Sequence, residues 1–229
     1  MYIPNTLPAT LAEMLAFLQP TVGDGLFDSV AYDNESSPTK IVCTQNGNTI
    51  LDISVSDAKW NFLPYAADGI TGNGITGMRY MTAAYRCKGG VLIAGNNGAG
   101  DATFTRWNFL IAKTSAGGGK TGFVRVGTSG YNAPQVYANG GRTFHTTCFG
   151  DSTSAQLFTG GFSVYIHYTA GTPYDRTILT KLPVVGEPGS TDYFTTAAVR
   201  NCVQFYEDGE QIIGGKQYGC AQAFAILDE

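Results

Sequence analysis

The chain has 229 residues, 43% of them hydrophobic and only 14% charged, with 30 glycines and a formal net charge of −4. That size suits one β-sandwich or barrel, since such folds run to about 200–250 residues as a single domain. The basic residues form no cluster, which argues against nucleic-acid binding by phosphate neutralisation and against attraction to anionic lipid; no apolar run approaches the roughly 18 residues of a membrane span.

The opening MYIPNTLPAT carries neither a basic stretch nor the long apolar run of a secretory leader, so the chain is expected to fold in a cytoplasm. Thr10-Leu11-Ala12-Glu13 then forms a capping box, in which the hydroxyl and the carboxylate each satisfy an orphan amide at a helix start. Leu11, Met14, Leu15 and Leu18 follow at helical spacing and make one apolar stripe, and Pro20 ends the helix. A helix this short is marginal alone and must lean on something. Two roles stay open for the stripe: packing on the chain's own sheet, or a docking or oligomer contact. Residues 1–40 read as this helix plus an attachment segment, and residues 41–229 as the β-sandwich domain.

Beyond residue 40 the hydrophobic period is two. Leu51, Ile53 and Val55 alternate with Asp52, Ser54 and Ser56, as a half-buried strand does. Trp107, Phe109 and Ile111 form one face of another strand, and Phe162, Val164, Ile166 and Tyr168 one face of a third. Met78–Cys87 runs through Lys88-Gly89-Gly90 into Val91-Leu92-Ile93 as a hairpin. Asp208-Gly209 between two strand-like runs favours a type I′ turn. Ala221–Leu227 is apolar without a breaker and reads as a buried closing strand. The segments 95–101, 116–120, 127–141 and 183–191 are rich in loop formers. The predicted architecture is all-β: an antiparallel, jelly-roll-like sandwich with one short N-terminal helix.

Several motifs resemble catalytic or metal sites, and each lacks an essential part. Phe149-Gly150-Asp151-Ser152 resembles the first block of GDSL-type esterases, but Val164 stands three residues before His167, where that pattern requires aspartate. Ala116-Gly-Gly-Gly-Lys120-Thr121 looks like a phosphate loop, yet Thr114 replaces its first glycine and Thr121–Val126 reads as strand, not helix. His145 and Cys148 have no second pair to close a zinc tetrahedron, and an odd spacing on a strand sends them to opposite faces. Asp33-Asn34-Glu35 lacks the spaced ligands of a calcium loop. Asp101, Asp151 and Glu207 read as solvated carboxylates without the context of a glycosidase pair. The five cysteines, Cys43, Cys87, Cys148, Cys202 and Cys220, follow no framework spacing and read as free, mostly buried thiols. The expectation is therefore a non-enzyme with no cofactor and no metal. Tyr131 and Tyr137, in a Gly/Asn/Pro-rich loop, are the candidate binding residues, because an exposed tyrosine offers both an apolar ring and a hydroxyl.

The strand Asn48-Thr-Ile-Leu-Asp-Ile-Ser54, the segment Tyr80–Ile93 with its Lys-Gly-Gly turn, Leu110-Ile-Ala-Lys-Thr114 and the ending Phe224-Ala-Ile-Leu-Asp-Glu229 have a common style. In it the chain resembles small structural proteins of tailed bacteriophages and prophages of gut Firmicutes. The resemblance is to a style of virion protein and carries over no functional residue. It implies a virion component of the tail tip, fibre or receptor-binding apparatus, acting as a homo-oligomer, with a trimer as the expected form. The partners it implies are other copies, other virion proteins and a host-surface glycan, with neither nucleic acid nor membrane. The alternatives are a capsid decoration or head-fibre protein and, from a different class, a carbohydrate-binding module or adhesin.

Overall fold

A computed structural model describes residues 3–4, 6–66, 69–70, 74–98, 105–115, 121–129, 144–148, 156–158, 179–183, 193–200, 209–221 and 224–227. Among the described residues the architecture is all-β and antiparallel, with helix only near the N-terminus. The capping box forms as the sequence requires. Thr10 is extended, its hydroxyl accepts the Glu13 amide at 3.2 Å, and the Glu13 carboxylate accepts the amides of Thr10 and Ala9 at 3.1 and 2.7 Å. Helix α1 (Leu11–Leu18) ends before Pro20, which opens a second, single-turn helix α2 (Pro20–Gly23). Proline fits there because the first helical residue needs no amide donor.

The first sheet contains β1 (Ser29–Asp33), β2 (Lys40–Gln45), β3 (Asn48–Ser56), β4 (Lys59–Ala66), β5 (Gly69–Ile70) and β6 (Ile75–Met78), the last two both pairing with β4. Two tight hairpins set its register. Asn46 and Gly47 lie at φ +52° and +74° between β2 and β3, and Asp57 and Ala58 at +51° and +55° between β3 and β4. Paired left-handed residues are what a two-residue turn needs to match strand twist.

The second sheet is a meander of β7 (Tyr80–Cys87), β8 (Gly90–Asn96), β9 (Thr105–Lys113), β10 (Thr121–Ser129), β11 (Phe144–Cys148) and β12 (Gln156–Phe158). The expected Lys88-Gly89 hairpin is there, with Cys87 opposite Gly90 and Gly89 at φ +76°. The third sheet holds β13 (Leu179–Pro183), β14 (Tyr193–Arg200), β15 (Gly209–Ile213), β16 (Lys216–Ala221) and β17 (Phe224–Leu227) in the order β13-β14-β17-β16-β15. Ala221 pairs antiparallel with Phe224, so the apolar ending is the end of one strand and the start of another, not a single closing strand. The burial expected of it holds, since Ala221, Phe224, Ala225 and Ile226 are inaccessible. Gly209 begins β15 and pairs with Cys220; Asp208 and the residues before it lie outside the described set.

The second sheet is the middle layer. Alternate residues of β8 and β9 serve different cores: Val91, Ile93, Phe109 and Ile111 join the first sheet and α1, while Leu92, Ala94, Leu110 and Ala112 join Phe194, Phe224 and Ile226 of the third. Strands buried on both faces lose the polar alternation of a half-buried strand, which is why Gly90–Gly95 is buried without interruption. Trp60, Phe62, Phe109 and Phe123 form a line of ring contacts through the first core, with centroids 5.8 to 6.1 Å apart.

Polar groups fasten the layers. The inaccessible Thr121 hydroxyl donates to the Leu26 carbonyl at 2.7 Å, and its amide donates to Gln45 of β2 at 3.2 Å. Arg86 on β7 donates to the Phe17 carbonyl and lies 5.6 Å from the Phe17 ring centroid, placing a cation at the C-terminal turn of α1. On the other side, Ser115 donates its amide to the Tyr193 carbonyl at 2.8 Å and Thr114 bridges to Phe194.

Candidate functional site

The apolar stripe is used within the chain. Met14 and Leu18 are inaccessible in the first core, and Leu11 and Leu15 pack against it while keeping part of their surface. Of the four residues considered for docking, only those two offer area to a partner. Within residues 1–40, read from sequence as the helix plus an attachment segment, residues 11–33 supply core residues and the edge strand β1 of the first sheet.

Tyr131 and Tyr137 lie outside the described residues, as do Ser152, His167, Asp101, Asp151 and Glu207. Lys120 lies outside them too, but the chain re-enters at Thr121 as strand β10, so no helix N-terminus follows the glycine run. His145 and Cys148 both fall on the strand β11. Among the described residues no group of three or more His, Cys, Asp or Glu side chains is placed to hold a metal. Cys43, Cys87 and Cys220 are buried free thiols. Burial, with the nearby Asp52 charge second, pushes the Cys43 thiol far above its ordinary value, which suppresses the thiolate that cysteine reactivity needs.

The one cluster of ionisable side chains among the described hydrogen bonds and ion pairs joins the first four strands. Asp52 sits in β3 where period-two reading makes it solvent-facing, yet it is only 4% exposed. Its Oδ2 accepts from Lys40 Nζ of β2 at 2.7 Å and from the Tyr65 hydroxyl of β4 at 2.7 Å, while Oδ1 has no hydrogen-bond partner among the described residues. Lys40 Nζ also lies 3.7 Å from Asp33 Oδ2 at the end of β1. Asp33 in turn is tied to its own loop: it accepts from the Ser36 hydroxyl at 2.6 Å and from the amides of Glu35 and Ser36 at 3.0 and 3.2 Å. The Asp33-Asn34-Glu35 segment is thus a turn closed by its own aspartate.

The electrostatics of this cluster keep its charges where they are. The hydrogen bond to Asp52 comes first in holding the Lys40 ammonium above its ordinary value. Burial, then the Asp52 hydrogen bond, raises the Tyr65 hydroxyl to about 12. The Ser36 hydroxyl leads in lowering Asp33. At neutral pH Lys40 is therefore a poor nucleophile and Tyr65 a poor base, since a catalytic group needs a pKa near the working pH. What the cluster does well is pin neighbouring strands together by charge-assisted hydrogen bonds.

Large apolar side chains reach solvent at a few places. Ile212 on β15 is 79% exposed, Tyr80 on β7 is 55% exposed, and Tyr32 on β1 is 39% exposed. All three occupy strands at the ends of their sheets in the described pairing. The Tyr80 ring lies close against Gly98: a Cβ added there would meet it at 2.3 Å, so glycine is what lets the ring lie there. Sequence reading missed these residues because edge position is set by strand order, which periodicity does not report.

No protein-family model, curated protein or solved structure matches this chain.

Proposed function

We propose that this chain is a structural protein of a tailed-bacteriophage virion, a tail-tip, fibre or receptor-binding component that works as a homo-oligomer. The observation that most supports this reading is the doubly covered central sheet. Two cores share β8 and β9, so the three layers brace one another, and close-packed interiors transmit force with little compliance. The Lys40–Asp52–Tyr65 cluster ties β2, β3 and β4 together by charge-assisted hydrogen bonds. A virion part needs rigidity and partner contacts more than chemistry, and exposed apolar side chains on edge strands provide places for such contacts. A capsid decoration or head-fibre role shares these features and differs in where the protein sits.

Size-exclusion chromatography with light scattering, together with cryo-electron microscopy of particles carrying the protein, tests the proposal. An oligomer located on the tail is the expected result. Location on the head selects the decoration role, and a monomer absent from particles refutes both.

Tyr80 favours a second reading, a carbohydrate-binding module, because an exposed ring lying against a glycine suits stacking against a sugar. Glycan-array binding that survives Tyr80→Ala removes Tyr80 from that reading.

A further inference from the structure

We draw no further inference here: the strongest candidate, the end strand β15 (Gly209–Ile213) with its 79% exposed Ile212, carries nothing because residues 201–208 running into it lie outside the described set and nothing in the structure shows what covers that edge.

Discussion

Removing the ammonium of Lys40 and removing the charge of Asp52 should have unequal costs, although both break the same ion pair. At the observed 2.7 Å and an effective dielectric near 20, the mutual attraction is about 6 kcal/mol. Desolvating the two groups costs several kcal/mol each, so the intact pair contributes little net stability. The asymmetry lies in what each substitution abandons. The Asp52 side chain is 6% exposed and that of Lys40 26%. Lys40→Met leaves a buried carboxylate with the Tyr65 hydroxyl as its remaining described donor, at a cost of about 3 kcal/mol, the low end for a stranded buried charge. Asp52→Asn leaves a lysine that reaches water and has Asp33 3.7 Å away, and keeps an acceptor for Tyr65, so its cost is about 1 kcal/mol. The double variant then costs nearly the same as Asp52→Asn alone, because no buried charge remains to strand; the coupling energy is about 3 kcal/mol in magnitude. Urea unfolding followed by tryptophan fluorescence and far-ultraviolet circular dichroism measures all four proteins on one scale. If Asp52→Asn costs as much as Lys40→Met, or if the two effects add, the buried carboxylate is not what makes the cluster sensitive.

Three further outcomes follow from the same geometry. Gly122→Ala puts a Cβ 2.7 Å from Cε1 of the inaccessible Phe194 ring and 2.9 Å from Thr114 Cγ2, so it destabilises by about 1–3 kcal/mol; pairing it with Phe194→Leu should recover part of that loss in urea melts, and simple additivity would contradict the packing account. Ala58→Gly relieves an exposed non-glycine residue at φ +55° and raises stability by about 1 kcal/mol, read as a midpoint increase of about 2–4 °C; an unchanged or lower midpoint counts against strain at that turn. The third concerns alkaline pH. Lys40 and Tyr65 both have raised folded-state values, so the native state holds their protons longer than the unfolded chain does. Their contribution is complete below the unfolded values of 10.5 and 10.0 and is lost as pH climbs through the raised ones, which for Tyr65 is about 12. Stability should therefore fall across that alkaline window, and Tyr65→Phe should flatten the fall; equal slopes for the two proteins would exclude Tyr65 as a source.

Much of the local structure was written in short stretches of sequence. The capping box at Thr10 and Glu13 forms because its two partners are three residues apart on any helix. The Lys88-Gly89 turn forms because glycine tolerates φ +76° wherever it occurs. The strand between Asn48 and Ser56, the strand that begins at Thr121 and the all-β class were legible for the same reason: each depends on neighbours in the chain. Asn46-Gly47 was an equally plain hairpin signal that the period-two reading passed over.

The candidate site was not legible, because its causes are non-local. Asp52 looks solvated by alternation, and only the pairing of β2, β3 and β4 brings Lys40 and Tyr65 onto its carboxylate. In the same way, Trp107, Phe109 and Ile111 announce one buried face of β9, but the second face, Leu110 and Ala112, is buried by the third sheet. The apolar ending was legible as buried but not as a chain reversal, since the pairing of Ala221 with Phe224 lies in the sheet and not in any breaker residue. Sequence alone indicated several of the strands and some of their turns, because those preferences act over a few bonds. Tertiary structure alone decided which sheet is doubly covered, which strands lie at the ends and which carboxylate is buried, because those are properties of segments far apart in sequence meeting across an interface.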